Sequence, residues 1–379
     1  MSAKPEVTIV GSGPAGLMAA EVLASAGHRV RILDHKKSPG RKFILAGRGG
    51  LNLTHSEPLE QLLDRYAQAR AFLEPMIKAF PPEAVVKWCE GLGQQTFVGS
   101  SGRVFPQTMK SSPLLRAWLR RLNGLGVTLV TDHQWQGFDG TPAILALGGA
   151  SWPETGSDGL WVEVFRRAGI RVTDLQPSNG RIIVAWTQHL ADGFAGQPIK
   201  NLALRYGAAN VKGEIIITKD GLEGGAIYQI HRAVREQPGL ALIIDLKPDL
   251  SREAVAQRLA QPRGRMSAAN FLRKALGLSP AALALLNETK QPVSADRVKA
   301  LALYPKGFAG LARAISTAGG VDLAELDENC QLKSQPLTYC VGEMLDFDCP
   351  TGGYLLQAAF STAVAAATDL VYKLAKPKP

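Results

Sequence analysis

The segment Gly11-Ser12-Gly13-Pro14-Ala15-Gly16 narrows the fold more than any other part of the chain. The apolar run Val7-Thr8-Ile9-Val10 leads into it, and a helical pattern over residues 17–23 leads out. After a turn at Gly27-His28, residues 29–33 read as a second strand ending at Asp34. This is a βαβ unit carrying G-x-G-x-x-G, with an acid 18 residues after the third glycine. Gly11 allows a tight turn, Gly13 lets a pyrophosphate approach the backbone, and Gly16 lets the helix pack close to the sheet. Pro14 and Ala15 open the helix, whose free N–H groups and positive dipole end face the phosphates. Asp34 is placed to accept hydrogen bonds from a ribose diol. A bare glycine motif also suits an ordinary turn in an α/β protein; strand, helix, second strand and acid in register select dinucleotide binding.

Further glycine-rich segments follow. After His35–Gly40 come Arg41 and Lys42, cations suited to a pyrophosphate, and then Gly47-Arg48-Gly49-Gly50-Leu51-Asn52-Leu53-Thr54. The backbone around Gly49 can wrap a flat ring closely, with Asn52 and Thr54 as polar side chains at alternate positions. Residues 143–147 form an apolar run ending at Gly148-Gly149, as expected of a buried parallel strand with a ligand at its carboxyl end. Near the C-terminus, the short strand 337–341 leads to Gly342-Glu343, then Gly352-Gly353-Tyr354 and an alanine-rich helix over 357–374. An acid there can bind a ribityl chain, and the helix dipole can stabilise negative charge on a flavin.

At 379 residues the chain suggests two or three domains. The expected fold class is α/β: a Rossmann-like FAD-binding domain from residues 1–178 and 336–379, an inserted antiparallel β-barrel-like domain from 179–250 and 315–335, and a small helical subdomain over 251–314. The strand-like segments 181–186, 202–206, 213–218 and 240–245 support the inserted domain. Proline breaks are expected at Pro58, Pro75, Pro81-Pro82, Pro262, Pro280 and Pro292, and Ser111-Ser112-Pro113 is expected to cap a helix over 114–122. Arg116, Arg120 and Arg121 on that helix read as a solvated face, with a nucleic-acid contact as the alternative.

No uninterrupted run reaches the ~18 apolar residues of a membrane span, so the expectation is a soluble, cytoplasmic protein with no membrane partner. Cys89, Cys330, Cys340 and Cys349 lack C-x-x-C spacing, and the six histidines form no H-x-x-x-H pair, so no metal centre is expected. The net charge of +10 exceeds what one dinucleotide anion requires. A polyanion such as RNA accounts for it, as does a basic surface with no specific partner.

Five segments together resemble the BaiN/RdsA-like FAD-dependent oxidoreductases: Gly11 to Gly16, Gly40 to Lys42 with Gly47 to Thr54, Gly102-Arg103-Val104-Phe105-Pro106, Gly148 to Gly159, and Gly342 to Asp346 with Gly352 to Tyr354. Leu51 departs from a cysteine common in that family and Leu355 from an asparagine, which suggests a divergent branch. The resemblance implies an FAD domain built from both chain ends and reduction of a C=C bond conjugated to a carbonyl, with NAD(P)H as electron donor. Relatives of this type act on enone-type bile-acid intermediates or on a ribosomal RNA uridine, giving dihydrouridine. The basic charge makes RNA uridine the preferred substrate. A small-molecule enone or quinone reductase and a non-catalytic, FAD-stabilised RNA-binding or scaffold protein are the alternatives. The expected cofactor-binding residues are those named above, from Gly11 to Tyr354. Arg103 and Trp152 are expected at the substrate face. No catalytic residue is assigned; Tyr228, Tyr354 and Cys340 have the chemistry of a proton donor.

Overall fold

The computed structural model describes residues 5–375. The chain divides into two units: one takes everything up to Gln176 and from Ser316 on, the other Pro177–Ile315. The return to the first unit therefore falls at Ser316, and residues 316–335, expected in the inserted part, belong with the dinucleotide motif instead.

The first unit is built on a parallel sheet. β1 (Glu6–Val10) is followed by α1 (Pro14–Ser25) and β2 (Arg29–Leu33), with β1 and β2 paired in parallel from Glu6↔Arg29 to Val10↔Leu33. The five-stranded order is Thr338–Cys340, Ala143–Leu145, β1, β2, Thr128–Val130, and every neighbouring pair is parallel. Strands buried on both faces explain the apolar runs: Val7, Ile9, Ile32, Ile144 and Tyr339 are all at most 1% exposed. α1 and the C-terminal helix Tyr354–Ala375 belong to the same core, through Leu17, Ala20, Leu23, Ala359, Ala363 and Ala367. Alanine at these positions keeps the helix face low enough for close packing.

That C-terminal helix is long and apolar enough to cross a membrane by length and composition. Gln357, Ser361, Thr362 and Asp369 interrupt its apolar run, and much of it is buried in the core. Two local expectations also change. Pro75 lies inside the helix Arg70–Ala79 rather than breaking it, because buried Leu73, Met76 and Ile77 hold that turn against the core. The helix of 114–122 begins earlier, as Ser111–Gly124 with Lys110 at the N-cap; the Ser111 hydroxyl donates to the Ile44 carbonyl and supplies no cap.

The second unit carries an antiparallel seven-stranded sheet. Its order is Leu301–Leu303, Leu242–Asp245, Pro198–Tyr206, Ala209–Thr218, Gly221–Glu223, Ile182–Ile183, Gly307–Phe308. No pairing between the two end strands closes it into a barrel among the described residues. The helical stretch does not separate from this sheet: Leu276, Leu285 and Val298 share one core with Leu202, Leu204 and Ile244. Four of its helices start at Ser251, Ser267, Ser279 and Ser294, each accepting a backbone N–H three residues on. Pro280 stands at the first helical position and starts a helix.

Candidate functional site

The topology puts three glycine turns side by side. β1, Ala143–Leu145 and Thr338–Cys340 are adjacent parallel strands, and beyond their carboxyl ends lie Gly11, Gly148 and Gly342. Ligands of parallel α/β sheets bind along this edge. At Gly11, φ is +101° and a Cβ would sit 2.3 Å from the Ala146 oxygen, so only glycine fits. A Cβ at Gly16 would lie 1.9 Å from the Gly11 oxygen, which brings α1 down onto the turn. By contrast, a Cβ at Gly13 or at Gly49 would meet nothing within 4 Å. Gly13 caps α1 without a side chain, and the helix has no acid in its first turn. Its N-terminal N–H groups are thus open to an anion.

Two polar chains tie the turns together. Asp34, 8% exposed, accepts from the Ser12 N–H (3.0 Å) and Ser12 hydroxyl through Oδ2, and from the Lys36 N–H (2.8 Å) and Arg41 Nη2 (2.9 Å) through Oδ1. Burial pushes its carboxyl pKa up, but these donors outweigh burial and hold it below the usual carboxylate value. Arg41 continues the chain by donating from Nε to the Thr155 carbonyl at 2.8 Å. The sequence reading gave Asp34 to a ribose diol; in the structure its acceptor positions carry protein donors.

The second chain centres on Glu343. Its Oε2 lies 2.5 Å from Lys42 Nζ and accepts the Gly149 N–H at 3.4 Å, while Oε1 accepts the Thr317 N–H at 3.1 Å. Lys42 also donates to Ser151 Oγ at 2.7 Å, and the Thr317 hydroxyl accepts the Ala150 N–H at 2.9 Å. Lys42 and Glu343, both expected at the site, are brought together. Ser12, Ser151 and Thr317 were not singled out by sequence; Ser12 and Ser151 lie inside motifs read only for their glycines.

Thr54 and Tyr354 are used differently. The Thr54 hydroxyl donates to Gln357 Oε1 at 2.6 Å, fully buried against the C-terminal helix. Gly353, at φ +95°, leaves room for the Thr54 backbone, which a Cβ there would meet at 2.6 Å. The Tyr354 hydroxyl donates to Glu57 Oε1 at 2.6 Å, its ring stacks on His55 at 5.4 Å, and its carbonyl accepts the Tyr66 hydroxyl. Burial and then the Glu57 carboxylate push the Tyr354 pKa well up. Cys340 is fully buried in its strand, and burial raises its thiol likewise. Tyr228 lies in the second unit, on the helix Gly225–Glu236. Arg103 starts the strand Arg103–Pro106, and Trp152 takes a left-handed conformation (φ +58°) before Pro153.

Buried polar atoms of this unit without a hydrogen-bond partner include Asn52 Oδ1, Arg41 Nη1 and Ser157 Oγ. Stranding buried polar atoms is costly, and Ser157 Oγ lies against the Gly148 turn, where a Cβ would meet it at 3.0 Å. Among the described residues no group of three or more His, Cys, Asp or Glu could hold a metal ion.

Comparison with known proteins gives a family and two kinds of relative. The sequence profile described as HI0933-like protein Rossmann domain matches residues 5–369. A protein of Escherichia coli (strain K12) named ribosomal RNA dihydrouridine synthase is 26% identical over 400 residues, covering 97% of this chain and 98% of that protein. The protein of the same name from Haemophilus influenzae (strain ATCC 51907 / DSM 11121 / KW20 / Rd) is 26% identical over 404 residues, covering 98% and 99%. Among solved structures, a 3-ketosteroid-delta4-(5alpha)-dehydrogenase from Rhodococcus jostii RHA1 aligns with a TM-score of 0.47 and 17% identity, covering 97% of this chain and 98% of that one. Mycobacterium smegmatis Sdh1 in its apo form aligns with a TM-score of 0.49 and 13% identity, covering 98% and 69%.

Proposed function

The chain belongs to the HI0933-like family and is an FAD-dependent oxidoreductase; from that premise we propose that it reduces a C=C bond conjugated to a carbonyl, in a uridine of ribosomal RNA, with NAD(P)H as electron donor. The observation that carries this reading is end-to-end similarity to two ribosomal RNA dihydrouridine synthases. The net charge of +10 supports a polyanionic substrate.

The residues present suit FAD. The open backbone at Gly13 and the uncapped N-terminus of α1 would hold the pyrophosphate. Arg41 Nη1, Asn52 Oδ1 and Ser157 Oγ, buried polar atoms without a protein partner, would be satisfied by polar groups of FAD. Asp34 fixes Ser12 and Arg41 in place, and a ribose diol would compete there with the Ser12 hydroxyl. Glu343, held by Lys42, Gly149 and Thr317, would position the ribityl and ring end together with Gly148, Gly342 and Gly353. When bound and reduced, a flavin supplies hydride to the electron-poor carbon of the conjugated bond. The proton for the neighbouring carbon comes from a donor other than Cys340, which is buried, or Tyr354, whose hydroxyl is bound to Glu57. Such a reaction belongs in the cytoplasm, where ribosomal RNA is made.

The test is mass spectrometry of ribosomal RNA from a strain deleted for this protein. Loss of a mass increment of about 2 Da, two hydrogens, from one uridine is expected. Unchanged RNA, with NAD(P)H-driven turnover of a small enone by the purified protein, would move the substrate to small molecules.

A further inference from the structure

Two stretches of the chain lack any carboxylate. Residues 35–56 carry five lysines and arginines and no Asp or Glu, and residues 91–131 carry five and none. The fold packs them together: the Leu51 N–H donates to the Met109 carbonyl at 3.0 Å, the Leu53 N–H to Val104 at 2.9 Å, and Ser111 Oγ to Ile44 at 3.3 Å. Arg41, Lys42 and Arg121 are paired with Asp34, Glu343 and Glu21. The other seven, Lys36, Lys37, Arg48, Arg103, Lys110, Arg116 and Arg120, form no ion pair among the described residues. Arg116 and Arg120 stand four residues apart on one helix and line a shallow groove with Leu119 and Asn123. Like charges at that spacing repel, so the arrangement costs the free protein stability.

Apolar side chains are exposed along the second of these two stretches. In the small antiparallel sheet of Thr54–His55, Arg103–Pro106 and Thr96–Val98, Phe97 pairs directly with Phe105, and their rings stack at 5.7 Å. Phe97 is 40% exposed and Met109 37%. Arg103, two residues before Phe105, shares its face of the sheet. A Cβ at Gly50 would lie 3.5 Å from the Phe105 ring, so the ring borders the glycine loop that carries Asn52.

We propose that the surface around Phe97 binds a single-stranded segment of the RNA substrate, with Phe97, backed by Phe105, stacking an unpaired base and Arg48, Arg103 and Lys110 facing phosphates. The proposal rests on the RNA reading of the function and adds where the RNA lies. An exposed aromatic ring beside unneutralised cations is the chemistry of single-strand recognition, since every base has a stacking face and every linkage a charge. A protein partner would need carboxylates to match the cations and would gain nothing particular from a stacked ring pair.

The experiment measures binding of a fluorescently labelled oligouridylate of about 12 nucleotides, and of a duplex of equal length, to the FAD-loaded full-length protein across a salt series. The single strand should bind more tightly than the duplex. Phe97→Ala should weaken it by about tenfold at fixed salt with the salt slope unchanged, and Phe97→Tyr should restore it. Arg48→Gln with Lys110→Gln should lower the slope by about 1.4, two phosphates at ~0.7 each. Flavin content and melting temperature serve as controls for folding. If Phe97→Ala does not fold, Phe97→Tyr and the charge variant still decide. Wild-type affinity in both variant sets, equal binding of the duplex, or binding of anionic lipid vesicles in place of RNA overturns the proposal. Variants that bind as wild type, in a protein whose deletion still removes the reduced uridine, sink this surface and leave the function standing. Absent RNA binding together with unchanged ribosomal RNA sinks both.

Discussion

Lys42 Nζ lies 2.5 Å from Glu343 Oε2 across 301 residues of sequence. The pair joins the segment after β2 to the turn after the last strand of the sheet, and Gly149 and Thr317 close the ring around the carboxylate. Glu343→Gln should leave a half-buried ammonium short of its counter-charge. We expect a loss of about 1–3 kcal/mol in unfolding free energy, and a larger loss in flavin retention, read from the visible absorbance of purified protein. A Lys42→Met, Glu343→Gln double variant should lose less than the sum of the single losses. Additive losses would mean the two groups act independently.

Asp34 sets a second expectation. Asp34→Ala releases Ser12 and Arg41 at once, so the protein should purify with sharply reduced FAD and a lower melting temperature. Unchanged flavin content would remove Asp34 and its partners from the cofactor site.

The acid limb of stability follows from the same group. Asp34 and Glu57 are both held below the ordinary carboxylate value; in Glu57, burial raises the pKa but Arg65 and Tyr354 outweigh it. Groups with a lowered folded pKa contribute fully above the unfolded value and lose that contribution as pH falls through the folded one. The urea midpoint should therefore be flat near neutrality and drop as pH falls below about 4. Asp34→Asn should lower the neutral plateau and flatten the drop, and an acid limb parallel to the wild type would contradict this origin.

Tyr354→Phe separates two roles for one hydroxyl. A proton donor removed from the reaction costs about 10²–10⁴ in turnover. A hydroxyl bound to Glu57 costs about 1 kcal/mol of stability and leaves turnover within several-fold. The second result is expected, measured as kcat on the RNA or enone substrate beside a thermal melt.

Gly353→Ala should be among the most damaging single changes. Its Cβ would enter the Thr54 backbone at 2.6 Å, in a left-handed conformation. Expression as insoluble or flavin-free protein is expected; a yellow, stable variant would mean that the turn can rebuild.

The glycine framework of the parallel sheet's carboxyl edge is legible in the chain because it rests on backbone demands that only glycine meets, as at Gly11 and Gly16. The acid at Asp34 was also visible, but its partners were not, since a serine inside G-x-G carries no spacing signal. Thr317 escaped for a topological reason. The strand Ser316–Val321 was assigned to the inserted part because strand texture says nothing about which sheet a strand joins. The acid-free stretches were present in the sequence, yet their meaning depends on the fold that sets residues 44–53 against 104–111.

The parallel sheet receives its edge strand, Thr338–Cys340, from near the end of the chain, against a partner, Ala143–Leu145, formed nearly two hundred residues earlier. During translation the first half therefore leaves the ribosome with one side of its sheet unpaired and must wait for the remainder. Residues 177–315 have time to fold meanwhile, so chaperone dependence should concentrate on the amino-terminal half of the nascent chain.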